Sequence, residues 1–414
     1  MLYDLANTIF SMGVVSLYFS LYVRDEVGPD RADSIYSVIT AISMALIFLL
    51  SPFLGAMTDR ARRRMPFLVW STILCCGCTA LLARGPFALS VLLFIAANAI
   101  YQAGVQFYDS LLPEVTTEAN RGRVSGLGVG VGYIGSYIAV GLGFVIPPEE
   151  RATLFGVIAV AFLLCAIPCF IFVRERGNPT PSPVLSWPAI RSSAALTMAT
   201  LRSTRDFPGL ARFLVGRVFY TDAINTVIAF MSLYTVSAAA AAGRATSEAE
   251  AVARLVLMSA ISFAIVGGLA WGWFVDRVGP RRTLNYVLGL WMATFTLAAA
   301  VGLFELPIIG LYAVGAMAGI ALGGIWAADR PYMLRLTPPH RVGEFYGLYG
   351  MVGRFSAIVG PLIWGGITYL AVERSGLPLL TGQAFAILAL LAMIVVSAWI
   401  LRRVDDAPRM WVTE

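Results

Sequence analysis

Lysine is absent from this chain, histidine occurs once, and charged residues of all kinds make up only 13% of its 414 residues. A soluble protein of this length needs a charged surface, and this composition does not supply one. The single histidine, His340, gives no support to a histidine-based metal site or to a Ser/His/Asp arrangement. Without lysine, the nucleotide-binding sequence G-x-x-x-x-G-K-[ST] cannot occur. We therefore expect no enzymatic activity, no metal and no cofactor.

Apolar residues dominate what remains, at 58% of the chain with a mean hydropathy of +0.78. Runs of about 20 apolar residues, long enough to cross the ~30 Å hydrocarbon core of a bilayer, recur along the whole chain. They are too long for the ~10-residue strands of an outer-membrane barrel. The runs predict twelve membrane helices near residues 3–22, 34–57, 66–85, 87–112, 125–147, 152–173, 210–238, 250–275, 283–304, 306–333, 345–372 and 381–402.

The first apolar run does not have the features of a signal peptide. It lacks a basic segment at its start, and Asp4 and Asn7 interrupt its apolar part. The five cysteines all fall inside predicted spans, three of them between Cys75 and Cys78. A thiolate cluster is one interpretation of that group, and small apolar helix residues are the one that we favour.

Arginines are distributed unequally between the two sets of loops. If the N-terminus is cytoplasmic, the cytoplasmic loops hold eleven arginines and the opposite loops hold six. The middle segment and the C-terminal tail add eight to the cytoplasmic side. The positive-inside rule then predicts that both termini are cytoplasmic, and we expect the inner membrane of a bacterium. This distribution explains the net charge of +6 without a nucleic-acid partner.

A proline-containing polar segment divides the spans six and six. We predict an N-terminal bundle at 1–173, a cytoplasmic linker at 174–209 with a short surface helix near 184–201, a C-terminal bundle at 210–402, and a tail at 403–414.

Three pairs of segments indicate that the two halves are repeats. Residues 4–8 (DLANT) match residues 222–226 (DAINT), residues 55–60 (GAMTDR) match residues 272–277 (GWFVDR), and Asp109 matches Asp329. The offset stays between 217 and 220 residues throughout. Parallel repeats of six spans are typical of one large class of secondary transporters.

The segment GAMTDRARRR at residues 55–64 resembles the signature loop between helices 2 and 3 of the major facilitator superfamily, and residues 272–282 resemble its second copy. Within that superfamily, residues 3–8, 101–114 and 343–361 resemble the vacuole effluxer-like branch, which is related to autophagy-linked vacuolar amino-acid exporters. The resemblance implies an all-α membrane protein of twelve transmembrane helices in two pseudo-symmetric six-helix bundles. It also implies alternating access, with helices 1, 4, 7 and 10 lining the pathway, and we expect a monomer in contact with membrane lipid.

One departure concerns helix 1. Helix 7 has an apolar run, Leu210 to Phe219, ahead of Asp222, whereas only two residues precede Tyr3 in helix 1. Either helix 1 starts short or the natural start lies upstream.

Candidate site residues are the polar groups inside spans, because a charged group there costs about 2.5–3.5 kcal/mol on insertion scales. Asp4, Asp109, Asp222 and Asp329 either couple transport to protons or another cation, or form ion pairs at helix ends with Arg217, Arg330 or loop arginines. Arg217 and Arg354 either bind a substrate carboxylate or neutralise one of these aspartates. Neutral groups that bind a polar solute, or bond between helices instead, are Asn7, Asn98, Gln102, Gln106 and Asn225.

The signature loops provide candidates for gating. Asp59 is expected to lie at a helix N-terminus and to pair with an arginine of a neighbouring helix in one access state, the alternative being a solvated turn. Asp276 and Arg277 are its counterparts in the second half. The gating candidates are Gly55, Asp59, Arg60, Arg63, Arg64, Gly272, Asp276, Arg277 and Arg281.

The sequence thus favours a secondary transporter of a small polar solute, such as an amino acid or similar metabolite, coupled to protons. One alternative is an efflux pump for lipophilic cations or lipids, with Trp326, Tyr133, Tyr137 and Tyr349 as aromatic contacts. The other is a membrane receptor or scaffold that transports nothing.

Overall fold

Helices account for nearly all of the described residues, and no strand occurs among them. The computed structural model describes residues 2–111, 121–175, 204, 207, 209–337 and 342–404. At 52–53, 55–60, 121–130 and 342–347 it describes the backbone alone. Most of the predicted linker, its surface helix and the tail from residue 405 lie outside these ranges.

Twelve helical spans follow one another along the described chain, as predicted. Ten are long and apolar enough to cross a membrane, and Met65–Ala80 and Val131–Val145 are shorter apolar helices. We number them in chain order as α1 Leu2–Val27, α2 Pro29–Arg60, α3 Met65–Ala80, α4 Phe87–Ser110, α5 Arg121–Val145, α6 Arg151–Phe172, α7 Leu210–Ala241, α8 Thr246–Val278, α9 Pro280–Phe304, α10 Ile309–Leu336, α11 Val342–Arg374 and α12 Leu379–Leu401.

Three helices begin at least four residues earlier than hydropathy predicts. Helix α2 begins at Pro29 rather than near residue 34, α5 at Arg121 rather than near residue 125, and α8 at Thr246 rather than near residue 250. The first turns of α2 and α8 contain Asp30 and Glu248, respectively, which lower the local hydropathy but favour a helix N-terminus. The junction before α2 is a single residue, Gly28, whose positive φ of 84° ends α1, and proline then starts the next helix.

Two spans depart from regular α-helix, which the sequence analysis does not predict. Helix α1 contains a π-helical segment, Ser11–Tyr18. Helix α11 is interrupted: α11a, Val342–Phe355, is followed by a turn, and α11b, Val359–Thr368, runs on into a π-helical segment, Tyr369–Arg374. Such irregular segments in helices often mark functional positions.

The helices form two units, each with its own core. The N-terminal unit comprises α1, α2 from Ile39 onward and α3 to α6, and the C-terminal unit comprises residues 28–38 and α7 to α12.

In the N-terminal unit, three ring pairs align α1 with α4. The ring centroids are 4.6 Å apart for Tyr3–Tyr108, 4.6 Å for Phe10–Tyr101 and 3.9 Å for Phe19–Phe94. These pairs run in opposite order along the two helices, so α1 and α4 are antiparallel neighbours.

Candidate functional site

The C-terminal unit contains a buried ion pair between α7 and α10. Arg217 Nε lies 3.0 Å from Asp329 Oδ2, and both side chains are less than 5% exposed. The hydroxyls of Tyr220 and Tyr349 donate hydrogen bonds to the two carboxylate oxygens of Asp329. Arg217 Nη1 donates to the Tyr349 carbonyl at 3.0 Å, and its guanidinium lies 3.6 Å above the Tyr349 ring.

The charges within this cluster therefore neutralise each other. Asp329 has a partner at each oxygen, and Arg217 is engaged by a carboxylate, a carbonyl and an aromatic face. Of the two roles considered for Arg217, internal neutralisation of an aspartate is the arrangement that is present. Removing one partner of such a pair leaves an uncompensated buried charge, which typically costs about 3–5 kcal/mol.

Asp222 has a different environment, at the interruption of α11. Its Oδ1 accepts a hydrogen bond from the backbone N–H of Gly360 at 2.8 Å, in the first turn of α11b. A Cβ at Gly360 would lie 2.7 Å from that oxygen and would overlap the Thr226 hydroxyl. Only glycine therefore allows α7 and α11b to approach this closely.

The second oxygen of Asp222 is the exception among the buried carboxylates described so far. The residue is 1% exposed, and within the described part of the chain Oδ2 makes no hydrogen bond. No arginine pairs with Asp222 there, and the N-terminal end of α11b stabilises a nearby negative charge. Oδ2 is thus free to bind a proton, a cation or a donor group of a solute.

The N-terminal unit places its two aspartates differently. Asp4 is half-buried, and its Oδ2 accepts a hydrogen bond of 2.6 Å from the Tyr108 hydroxyl of α4. Tyr3 stacks on Tyr108 and shares a hydrogen bond of 2.8 Å with Thr72 of α3. Asp109 is exposed at the end of α4. The matched aspartates therefore differ in exposure, since Asp222 and Asp329 are buried whereas Asp4 is half-buried and Asp109 is exposed.

The five candidate amides divide into two groups. Gln106 is bonded to Ser51 of α2 twice: its Oε1 accepts from the serine hydroxyl at 3.0 Å, and its Nε2 donates to the serine carbonyl at 3.1 Å. In the described part of the chain, the side chains of Asn7, Gln102 and Asn225 are half-buried and make no hydrogen bond. The side chain of Gln106 is thus used in bonding between helices, whereas the side chains of the other three amides are available to bind a solute.

Asn98 also lacks a partner, although it is completely buried. Neither its Oδ1 nor its Nδ2 makes a hydrogen bond within the described residues. On α4 it shares a stripe with Phe94 and Tyr101, at spacings of four and three residues, and both of those rings contact α1. Asn98 therefore lies on the face of α4 toward α1, at the level of the π-helical segment Ser11–Tyr18.

The first signature loop is anchored by a residue that the sequence analysis did not identify. The carboxylate of Glu175, just after α6, accepts hydrogen bonds from the backbone N–H groups of Arg64 (2.7 and 2.8 Å) and Met65 (3.0 Å). These groups begin α3, so Glu175 caps that helix. Arg64 Nη1 in turn donates to the carbonyl of Ser110, at the end of α4, at 2.7 Å. An acidic residue between two arginines at 174 and 176 was the available signal.

The remaining gating candidates lie on the surface or outside the side-chain description. Arg63 is exposed, and the side chains of Asp59 and Arg60 and the surroundings of Gly55 are not described.

In the second signature loop, Arg281 Nη2 donates a hydrogen bond to the carbonyl of Arg402 at 2.9 Å. Also in that loop, Gly272 has open space where a side chain would point, Asp276 is exposed, and the guanidinium of Arg277 lies 3.9 Å from the Trp273 ring. Arg354 is half-buried in the last turn of α11a.

Comparison with known proteins identifies a family, related sequences and a solved structure with a similar fold. A family model described as vacuole effluxer Atg22 like matches residues 27–407. The uncharacterized MFS-type transporter YxiO of Bacillus subtilis is 27% identical, over 98% of this chain and 94% of its own. Autophagy-related protein 22-1 of Emericella nidulans is 26% identical, and the match covers 59% of this chain and 45% of that protein. A crystal structure of a D-xylose-proton symporter has a TM-score of 0.74 at 13% identity, covering 99% of this chain and 98% of its own, which shows a shared fold.

Proposed function

Since the chain belongs to the vacuole effluxer Atg22-like family and is a membrane transporter of the major facilitator type, we propose that it moves a small polar solute by alternating access coupled to protons. The solute class that we propose is an amino acid or a similar metabolite. The proposal is carried by Asp222, a buried carboxylate with one oxygen bonded and one oxygen free among the described residues.

The contrast with the other aspartates supports Asp222 as the proton carrier. Asp329 is neutralised by Arg217, Asp4 is bonded to Tyr108, and Asp109 is exposed. A carrier must exchange a proton with water during the cycle, and a carboxylate bound by no cation can change its charge without breaking an ion pair. Asp222 meets that condition among the described residues.

A polar solute suits the amides that remain available. Asn7 and Gln102 lie on helices that the ring pairs make antiparallel neighbours, and Asn225 lies one turn after Asp222 on α7. A side-chain amide both donates and accepts hydrogen bonds, so these groups can bind hydroxyl, amine or carbonyl groups. Arg217 is already engaged, so we do not assign it to a solute carboxylate.

The sequence analysis also left open two other functions. Efflux of lipophilic cations would use aromatic faces, but the Tyr349 ring is already covered by Arg217, and Trp326 is 43% exposed on α10. A receptor or scaffold would move no solute at all. We propose that the protein is a monomer in a bacterial plasma membrane with both termini in the cytoplasm.

Purified protein in liposomes tests this function. A thermal-shift screen of metabolites selects ligands, because a ligand that binds the folded protein raises its melting temperature. We expect an inward proton gradient to drive accumulation of a selected amino acid or similar metabolite, and excess unlabelled solute to compete. Competition by lipophilic cations but not by metabolites would favour the efflux alternative, and binding without flux would favour the receptor.

The proposed topology has its own test. In a background without the native cysteines, single cysteines at exposed Glu150 and Arg62 should label from outside and inside the cell, respectively.

A further inference from the structure

Arginines are concentrated where three helices of the C-terminal unit reach the same membrane surface. Helix α8 ends at Val278, α9 begins at Pro280 and α12 ends at Leu401. One acidic residue, Asp276, accompanies the arginines in residues 272–286 and 397–404. We call the five arginines the basic patch: Arg277, Arg281, Arg282, Arg402 and Arg403.

A hydrogen bond joins the two parts of the basic patch. Arg281 Nη2 donates to the carbonyl of Arg402 at 2.9 Å, so the start of α9 lies against the end of α12. At the other end of the same helix pair, a Cβ at Gly302 would lie 2.9 Å from the Cβ of Ala384. Helices α9 and α12 are therefore antiparallel neighbours along their length, and their consecutive arginines belong to one surface.

The positive charge of the basic patch has little compensation among the described residues. Four of its five arginines, all except Arg281, are exposed and form no ion pair there. Two of the five occupy the first turn of α9, where a helix already has a partial positive charge. Helices α2 and α8 have Asp30 and Glu248 at that place instead. Since like charges repel one another, a bound anion would stabilise the patch.

Each of the three helices also carries an exposed ring one turn further into the membrane. Trp273, Tyr286 and Trp399 are 57%, 57% and 56% exposed, and each is four residues from an arginine of the basic patch. The guanidiniums of Arg277 and Arg403 lie 3.9 and 4.9 Å from the rings of Trp273 and Trp399, respectively. Tryptophan and tyrosine favour the headgroup region of a bilayer. The basic patch therefore lies at the depth of the lipid phosphates.

The exposed face of α9 continues from the basic patch into the membrane with small side chains. Asn285, Tyr286, Gly289 and Ala293 follow Arg282 at helical spacing, and all five are exposed. A Cβ at Gly289 would have nothing within 4 Å. The face thus changes from a cation to an amide and then to an open apolar surface. A phospholipid has the same order, from its phosphate through its glycerol to an acyl chain.

We infer that the basic patch and the exposed face of α9 form a binding site for one anionic phospholipid, such as a phosphatidylglycerol. Arg282 and Arg403 bind the phosphate, because guanidinium groups pair with phosphate oxygens through two hydrogen bonds. Basic pockets between membrane helices bind anionic headgroups in this way. Gly289 leaves room for an acyl chain. The site uses contacts within the C-terminal unit alone, and it requires neither a solute nor a proton.

Titration of the purified full-length protein with lipid tests the site. In detergent, phosphatidylglycerol should raise the melting temperature in a saturable manner, and phosphatidylcholine with the same acyl chains should not. Arg282→Gln with Arg403→Gln should raise the half-saturating concentration of phosphatidylglycerol by about fivefold for each arginine lost. Arg62→Gln with Arg374→Gln removes the same charge at exposed positions elsewhere and should leave that concentration unchanged.

A glycine pair tests the acyl-chain contact without a change of charge. Gly289→Leu fills the open surface of α9, and the half-saturating concentration should rise by roughly fourfold for each CH₂ group that loses its contact. Gly77→Leu on α3 is the control, because Gly77 is also exposed with nothing within 4 Å of its Cβ position. Equal effects of the two variants would overturn the acyl-chain contact.

Three results would overturn the lipid site itself. The first is an equal shift with phosphatidylcholine, or an equal weakening in the Arg62 and Arg374 variant. The second is a shift with inorganic phosphate at the same concentrations, which would mean that the patch binds a free anion. The third concerns Asp405 and Asp406, which follow the patch outside the described residues. A preference for phosphatidylglycerol that appears only after both become asparagine would mean that the tail neutralises the patch.

Discussion

Asp222 and Gly360 are 138 residues apart in the chain, and the hydrogen bond between them joins a transmembrane carboxylate of α7 to the first turn of a half-helix. The bond uses one oxygen of Asp222 and, among the described residues, leaves the other without a partner. A change in the charge of Asp222 would alter the strength of this hydrogen bond, and so of a contact at the interruption of α11.

Replacement of Gly360 by alanine should destabilise the protein. The added methyl would overlap the Thr226 hydroxyl and press on Asp222, so α7 and α11b must separate. We expect a loss of about 1–3 kcal/mol, seen as a lower melting temperature. Gly350→Ala in α11a, where nothing lies within 4 Å, is the matched control and should change the melting temperature little. Equal effects of the two variants would argue against the close approach.

The Arg217–Asp329 pair should behave as a buried ion pair. Arg217→Gln leaves the carboxylate of Asp329 buried without its cation, and we expect a cost of about 3–5 kcal/mol. Arg244→Gln is the control, because its pair with Glu248 is more than half exposed and is expected to contribute less than about 1 kcal/mol. Thermal denaturation of purified protein measures both. A small effect of Arg217→Gln would mean that water reaches this cluster.

The available and the bonded amides should respond differently to removal. We expect Gln102→Ala to weaken solute binding by roughly tenfold, the effect of losing about 1.4 kcal/mol, with little change in melting temperature. Gln106→Ala should lower the melting temperature and change solute binding little, because it breaks two hydrogen bonds to Ser51. Isothermal titration with a transported solute and thermal denaturation separate the two effects. A stronger binding defect in Gln106→Ala would reverse our assignment.

Glu175 should control turnover rather than affinity. Glu175→Ala removes the cap of α3 next to the first signature loop, and we expect slower transport with an unchanged dissociation constant, because we propose that this loop acts on conformational exchange. Glu149→Ala, at an exposed position, is the control. We expect Asp59→Asn to have the same kinetic signature as Glu175→Ala. A parallel loss of binding and turnover in Glu175→Ala would place it at the solute site instead.

The twelve spans and the family could be predicted from sequence because each depends on local information. An apolar run of sufficient length forms a helix in a membrane whatever its neighbours are, and a signature loop is read directly. The interruption of α11 had a local signal in Pro361, which lacks a backbone N–H and disfavours a continuous helix, but the hydrogen bond from Gly360 to Asp222 on another helix could not be predicted. The same is true of which amides are bonded: Gln102 and Gln106 are one turn apart and look equivalent in sequence.

The start of α2 was placed late for a more specific reason. Hydropathy places it near residue 34, whereas the helix begins at Pro29 and includes Asp33, whose side chain is buried. The pair Gly28–Pro29 is a common signal for the end of one helix and the start of the next, and it was available. Repeat symmetry also had limits, because Asp4 and Asp222 match in sequence but bond to a tyrosine hydroxyl and a backbone N–H, respectively.

Comparison of accumulation with exchange in the Asp222→Asn variant tests the central claim most directly. Asparagine keeps an oxygen that can accept the Gly360 N–H, so the contact with α11b is retained while the proton site is lost. In liposomes we expect the variant to lose accumulation of solute driven by a proton gradient and to keep solute exchange at near its original rate. Asp329→Asn, which weakens the pair with Arg217, should lose both activities. Full gradient-driven accumulation by Asp222→Asn would contradict the account, because the proton would then be carried elsewhere.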